Sequence, residues 1–331
     1  MARWFEETLG LEGAVVERRL GGGNSNVTEL VRHSRGQVVL RRPPDAAISA
    51  SAANGVRREY RTLRALAGRA RVPAPIGFCE DPSILGQPFL VVEFVDGVAM
   101  STELPADYPR DAATLNRIGE ELIDAIAAIH ALDWRDLALE APQGNMDYVS
   151  RQVERWMRAR QADSVRDLSL IGETGRWLLA HRPAAAPVAL IHGDFHLDNT
   201  LFRRDVPVLA AIIDWELATI GDPLADLGLA LAFWGPRPVE TVGFSFVQQV
   251  TRGMPDLASR ESLAERWSIA TGIPVDRLDY YRVFALWRLA VIVEGAFVLH
   301  HKGLVADSYA RNLEHDVPNL LAEAAQIAGL A

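Results

Sequence analysis

Leu190-Ile-His-Gly-Asp-Phe-His-Leu-Asp-Asn199, followed by Ala211-Ile-Ile-Asp-Trp-Glu216, is the stretch of sequence on which the fold turns. Apolar residues lead into each polar cluster, the pattern of a short buried strand that ends at an exposed turn. On that reading Asp194, Asn199 and Asp214 project from one cleft wall. Phosphoryl transfer needs a carboxylate near the attacking hydroxyl and oxygen ligands for Mg²⁺ on the nucleotide phosphates. Magnesium takes one or two protein carboxylates and completes its shell with phosphate and water. Asp194 is the candidate base, Asn199 and Asp214 are the candidate metal ligands, and His192 is placed to brace the loop.

Working outward, the residues before this stretch alternate strand-like and turn-like segments. Val15–Leu20, Val27–His33 and Gln37–Arg41 read as short strands, the first two separated by the turn Gly21-Gly22-Gly23-Asn24. Asn54 offers an N-cap for a helix through Ala67, with Val56, Tyr60, Leu63 and Ala67 on one face. Pro73 and Pro75 close that section, and Pro88–Val95 is a continuous apolar run typical of a buried strand. Beyond Gly97 the texture becomes helical, at Ile118–Ile129, Met146–Gln161, Asp167–Ala180, Asp222–Trp234, Arg260–Thr271, Leu278–His300 and Ala306–Ala328. Val188–Trp215 interrupts these helices as a strand-loop-strand region. The expected architecture is α+β: a small β-rich N-lobe, residues 1–96, and a larger helical C-lobe, residues 97–331, hinged near Glu93–Gly97. Clefts between such lobes are common ligand sites.

The two quoted segments resemble the HGDxxxxN catalytic loop and the metal-binding segment of the aminoglycoside phosphotransferase and choline kinase superfamily, whose fold is protein-kinase-like. The resemblance implies that Asp194 is the catalytic base and that Asn199 and Asp214 hold magnesium. It also implies an acidic scaffold in Gly221-Asp-Pro-Leu-Ala-Asp-Leu-Gly228. Asp222 precedes Pro223 at a helix start, so both Asp222 and Asp226 are read as bracing residues. Leu20-Gly-Gly-Gly-Asn-Ser-Asn-Val27 stands where kinases place the loop over the nucleotide phosphates. Gly22 and Gly23 would let backbone N–H groups approach phosphate, and Asn24, Ser25 and Asn26 would add donors; a plain hairpin turn is the alternative. No GxxxxGK[ST] pattern occurs, which disfavours a P-loop fold.

Val38-Val-Leu-Arg41 occupies the place of the kinase cation strand, and Glu59 lies on the following helix. Arginine replaces the familiar lysine there and can grip phosphate bidentately, with Arg41 and Arg42 both in register to do so. Backbone groups of Glu93 and Val95 would meet the adenine edge. Further segments, among them Arg151-Gln-Val-Glu-Arg-Trp156 and Tyr281-Arg-Val-Phe-Ala-Leu-Trp-Arg-Leu-Ala290, resemble the phosphotransferase-like domain associated with acyl-CoA dehydrogenases. That group often carries Arg where this chain has His196. The resemblance implies ATP and Mg²⁺ as cofactors and a hydroxyacyl-CoA as the hydroxyl acceptor.

Composition sets the outer limits. The 331 residues carry a formal charge of −9, are 49% hydrophobic and 23% charged, and so describe an ordinary globular protein. A nucleic-acid backbone calls for a basic surface, which this balance does not provide. Arg151, Arg155, Arg158 and Arg160 could form a basic patch for an anionic acceptor, although a solvated helix face is the plainer reading. Arg288 and Glu294 interrupt an apolar helix and each needs a partner, either an ion pair or a substrate. The stretch Ala285–His300 is shorter than the ~20 residues that span a bilayer and is read as a core helix, so no membrane role is expected. One cysteine, Cys79, fits a reducing, cytoplasmic setting. Two rival readings remain: an aminoglycoside- or choline-like amine-alcohol kinase, and a nucleotide-binding pseudokinase serving as an interaction module. Oligomeric state is not legible.

Overall fold

The computed structural model describes residues 1–21, 26–44, 50–100, 103–140, 147–183, 187–235, 249–304 and 308–330. It opens with α1 (Ala2–Leu9), β1 (Val15–Arg19), β2 (Val27–His33), β3 (Gly36–Arg42), α2 (Ala50–Leu66), β4 (Pro75–Cys79), α3 (Pro82–Leu85) and β5 (Phe89–Glu93). The five strands form one antiparallel sheet in the order β1-β2-β3-β5-β4. Strand β3 is central, and its side chains alternate between two cores because successive strand residues face opposite ways. Val38 and Leu40 join Phe5, Phe89 and Val91 under α1, whereas Val39 joins Val56, Leu63, Leu90 and Val92 under α2. The same alternation turns Arg41 toward α2 and Arg42 away from it. This resolves the Arg41/Arg42 ambiguity of the sequence.

Three elements of this half, α1, β4 and the short α3, escape the sequence reading, and one detail is corrected. Strand β4 begins at Pro75 and contains Gly77, two residues that argue against a strand. Proline is tolerated because β4 is an edge. Glycine leaves room for α1: a Cβ at position 77 would lie 2.6 Å from Leu9 Cδ2, and that side chain would have to shift. The first helix, α1, closes on Gly10 in the left-handed conformation, φ 64°. Asn54 is not an N-cap: α2 starts at Ala50, so Asn54 lies inside the helix.

The chain continues through α4 (Ala112–His130), α5 (Tyr148–Ala162), α6 (Ser169–Ala180), β6 (Ala189–Ile191), β7 (Thr200–Phe202), β8 (Leu209–Ile212), β9 (Thr219–Gly221), α7 (Leu224–Ala232), α8 (Arg260–Thr271), α9 (Leu278–His301) and α10 (Ser308–Ile327). Strand β6 pairs with β9 and β7 with β8, both antiparallel. These two small ribbons hold the turns that carry the quoted motifs. The apolar C-terminal helix is longer than the sequence reading gave it: α9 has 24 residues and is long and apolar enough to cross a membrane. It is instead the axis of the helical half, with α7 and α10 packed against it and Tyr281, Phe284, Trp287 and Val291 buried. Glu294, one of the two charges within the apolar stretch Ala285–His300, is buried and paired with Arg166 at 2.5 Å, the structural outcome of the two considered.

Candidate active site

The turn after β6 is built around Gly193. Its φ of 85° is left-handed, and a Cβ there would lie 2.6 Å from the Leu217 carbonyl oxygen, so only glycine fits. Asp226, buried on α7, holds this turn from beneath: its carboxylate accepts the His192 N–H at 2.6 Å and the Gly193 N–H at 2.9 Å. His130 supports Asp226 in turn. Its Nδ1 accepts from Trp267 Nε1 at 3.0 Å, so the proton sits on Nε2, which faces Asp226 Oδ2 at 3.3 Å. His130 was not singled out in the sequence, where a histidine ending an apolar helix carries no signal.

His192 joins the two motif turns. Its Nδ1 accepts from the Asp194 N–H at 3.2 Å, leaving Nε2–H to donate to the Ile213 carbonyl at 2.8 Å. The Ile213 N–H donates to the Asn199 carbonyl at 2.9 Å, which sets Asp214 directly beside Asn199. Asn199 Nδ2 donates to the Asp194 carbonyl at 2.8 Å and to Asp194 Oδ2 at 3.2 Å. Asp194, Asn199 and Asp214 thus converge, and His192 is the brace between their turns. Asp214 itself adopts φ 69°, ψ 57°, a left-handed conformation that costs a non-glycine residue energy and is held by these contacts.

Arg41 reaches the same place from the sheet. Its Nε donates to Glu59 Oε2 at 3.0 Å and its Nη2 to Asp214 Oδ1 at 2.6 Å, with Arg41 and Glu59 side chains only 10% and 2% exposed. Arg42 pairs with Glu29 at 3.5 Å instead, so Arg41 is the cation of this cluster. Burial opposes the Arg41 charge, but Glu59, Asp214 and Glu216 outweigh it and raise its pKa. Burial lifts Glu59 to about 7 against the pull of Arg41. Asn26 Nδ2 donates to Glu216 Oε2, and Arg58 Nη1 donates to the Glu216 carbonyl at 2.6 Å, tying the sheet and α2 to the Asp214 turn. Glu216 was quoted in the motif without a role, and its link to Asn26 spans positions too distant for sequence spacing to show.

The Asp194 carboxylate is 40% exposed and open to a ligand. Burial works against its charge, yet His196, Arg288 and His192 prevail and hold its pKa at about 2. His196 Nε2 lies 3.6 Å from Asp194 Oδ2, and its pKa is raised because Asp194 and Asp198 outweigh the effect of burial. Arg288, the other charge in the apolar stretch of α9, donates to the Gly193 carbonyl at 2.7 Å and braces the turn. Asp222 accepts from the Leu224 N–H at 3.0 Å and from the Tyr281 hydroxyl at 2.7 Å, the bracing role expected of it, and burial raises its pKa to about 6. Glu93 ends β5 with its N–H donating to the Ala74 carbonyl at 2.9 Å, and Val95 follows it, half-buried. Gly22, Gly23, Asn24 and Ser25 lie outside the described residues.

Comparison with known proteins agrees with this geometry. A profile of the phosphotransferase enzyme family matches residues 16–259. Acyl-CoA dehydrogenase family member 10 of Mus musculus is 32% identical over 281 residues, covering 83% of this chain and 26% of its own length. The chain therefore spans only about a quarter of that curated relative. Among solved structures, a candidate aminoglycoside phosphotransferase from Ralstonia eutropha superposes with a TM-score of 0.79 at 26% identity, covering 99% of this chain and 97% of that one. The GDP complex of aminoglycoside 2′-phosphotransferase-IIIa superposes with a TM-score of 0.63 at 20% identity over 97% and 96% of the two chains. The five-stranded sheet and the helical part are those of this kinase-like fold, and the chain belongs to the phosphotransferase enzyme family.

Proposed function

We propose that the protein is an ATP- and Mg²⁺-dependent small-molecule kinase that phosphorylates the hydroxyl of an anionic acceptor, a hydroxyacyl-CoA. The observation that carries the kinase reading is the junction of Asp194, Asn199 and Asp214 through His192 and the Ile213–Asn199 bond. Asn199 spends its Nδ2 on Asp194, so its side-chain oxygen is the atom left for a cation. Asp214 adds a carboxylate that is 32% exposed. Among the described residues no cluster of three His, Cys, Asp or Glu is arranged to chelate a metal unaided. One carboxylate and one amide oxygen suit magnesium, which prefers to share its shell with phosphates. When bound, the metal would neutralise charge on the transferring phosphoryl group.

Asp194 would accept the hydrogen bond of the acceptor hydroxyl and aim its oxygen at the γ-phosphorus. A new O–P bond forms as the bond to the β-phosphate bridging oxygen breaks, and ADP leaves. With a pKa near 2, Asp194 is a weak base. It orients the hydroxyl early and takes its proton late, once bonding to phosphorus has made the oxygen acidic. Arg41, its Nε held by Glu59, would present the rest of its guanidinium fork to the nucleotide phosphates. Asn26 and the preceding Gly22, Gly23, Asn24 and Ser25 would cover those phosphates, and Glu93 and Val95 would offer backbone groups to the adenine edge. The buried free thiol of Cys79 suits a reducing, cytoplasmic setting.

An anionic acceptor is favoured by the local charge. Arg288 acts on both Asp194 and the buried Tyr148, and Arg151 acts on Tyr148 as well, against Asp226 and Asp194 from the catalytic turn. A polycationic aminoglycoside would meet these arginines unfavourably, whereas CoA phosphates would not. The curated relatives with acyl-CoA dehydrogenase names point the same way. The test is a phosphotransfer screen with ATP and Mg²⁺ against a hydroxyacyl-CoA, kanamycin and choline, read by mass spectrometry. Phosphorylated hydroxyacyl-CoA is the expected product. Turnover of kanamycin or choline alone would replace the acceptor assignment, and no product with any alcohol would favour the pseudokinase reading.

A further inference from the structure

Away from the Asp194 turn, one face of α2 closes a cavity of about 330 Å³ against Leu139 and the β6–β9 ribbon. Its lining mixes the apolar Leu139, Leu190, Ala218 and Ile220 with the polar Asn54, Thr62 and Thr219, while Arg57, Arg58 and Arg61 stand on its α2 side. Their positions, four and three apart, bring Arg57 and Arg58 over the same face as Arg61. Glu140 is the carboxylate that opposes them in the lining. The positive charge is incompletely matched. Arg58 donates to a neutral carbonyl, that of Glu216, at 2.6 Å. Arg61 and Glu140 are 3.7 Å apart with side chains 64% and 91% exposed, a contact that contributes little and yields readily. Of the three, only Arg57 has a close carboxylate among the described residues, Glu80 at 2.6 Å, and Glu80 is outside the cavity lining.

We propose that this cavity is a second binding site, for a small organic anion: a phosphate or carboxylate carried on a compact apolar body. Guanidinium forks pair bidentately with either headgroup. The apolar part of the lining accounts for the body, and the volume falls at the small end of the ~300–1,000 Å³ range of ligand pockets. The site lies behind the helix that carries Glu59. Its Arg58 holds the Glu216 backbone, and the Glu216 side chain holds Asn26. An occupant would therefore clamp α2 to the segment that follows Asp214, and would do so without entering the cleft that Asp194 faces.

Phenyl phosphate is the probe, titrated by calorimetry into the full chain and into Arg61→Gln and Arg57→Gln/Arg61→Gln variants. Neither residue belongs to the Asp194 cluster, and the largely exposed Arg61 side chain makes its single variant safe for folding. Binding to the native chain is expected, weakening on the order of tenfold in the double variant and in the same direction in Arg61→Gln. Inorganic phosphate, which lacks the apolar body, is expected to bind on the order of tenfold more weakly than phenyl phosphate. Equal affinity for phenyl phosphate in native and variant chains would overturn the proposal. Equal affinity for the two probes, or no binding of phenyl phosphate up to about 10 mM, would overturn it too.

Discussion

Replacing Asp194 with Asn is expected to lower kcat by ~10²-fold or more, because a positioned base contributes about that much. The substitution is informative because the turn itself does not depend on the charge, although His196 loses an ionic partner. The turn is held by backbone groups: Asp226 takes the His192 and Gly193 N–H groups, and His192 takes the Asp194 N–H. Asn199 keeps its 2.8 Å bond to the carbonyl of residue 194 whatever the side chain there. The variant should therefore keep the native turn, give up only the stability that the His196 and Arg288 interactions add to the charged form, and bind nucleotide with the native affinity, so that the catalytic loss appears in kcat. A kcat within a few-fold of native would remove Asp194 from the base role.

The second large effect is expected on stability. Arg41→Ala would strip Glu59, whose side chain is 2% exposed, of its only strong counter-charge among the described residues. Removing one partner of a buried pair typically costs ~3–5 kcal/mol, because an uncompensated charge is left behind. The cost should depend on pH in a known direction. Burial already raises Glu59 to about 7, well above a carboxylate in the unfolded chain. A raised acid stabilises the fold most when it is protonated, below its unfolded pKa, and that contribution fades as pH rises through the folded value. Without Arg41 the folded pKa climbs further, so the destabilisation should be larger near pH 8 than near pH 5. Urea unfolding at the two pH values measures this, and Arg41→Lys, which keeps a charge, should recover most of the loss. A destabilisation equal at both pH values would show that Glu59 is not the group left stranded.

How much of this was legible beforehand differs from residue to residue. The β2–β3 hairpin, the apolar run of β5 and the helices from α4 to α10 follow from period and turn residues, and the structure has them. The convergence of Asp194, Asn199 and Asp214 was also readable, since Asp194 and Asp214 each follow a short strand, Asn199 directly precedes one, and the intervals between them are short. Strand β4 was hidden by Pro75 and Gly77, whose presence makes sense only once α1 is seen lying across it. Arg41 and Arg42 could not be told apart until the sheet showed which face met α2. Asn54 looked like a cap because cap propensity is local, whereas the start of α2 at Ala50 is not. The Asp226–His130–Trp267 support beneath the turn joins three helices, and no short-range pattern encodes such a contact.

The central claim is that Asp194, Asn199 and Asp214 meet around a metal-bound nucleotide, and Asp214 tests it most directly. Calorimetry with ATP should be run in Mg²⁺ and in EDTA, on the native chain and on Asp214→Ala. The native chain is expected to bind at least about tenfold more tightly with Mg²⁺ than without, and Asp214→Ala to show no such gain. Reading the ratio within each protein removes the effect of freeing Arg41 from its 2.6 Å contact with Asp214. An undiminished magnesium gain in Asp214→Ala would contradict the account.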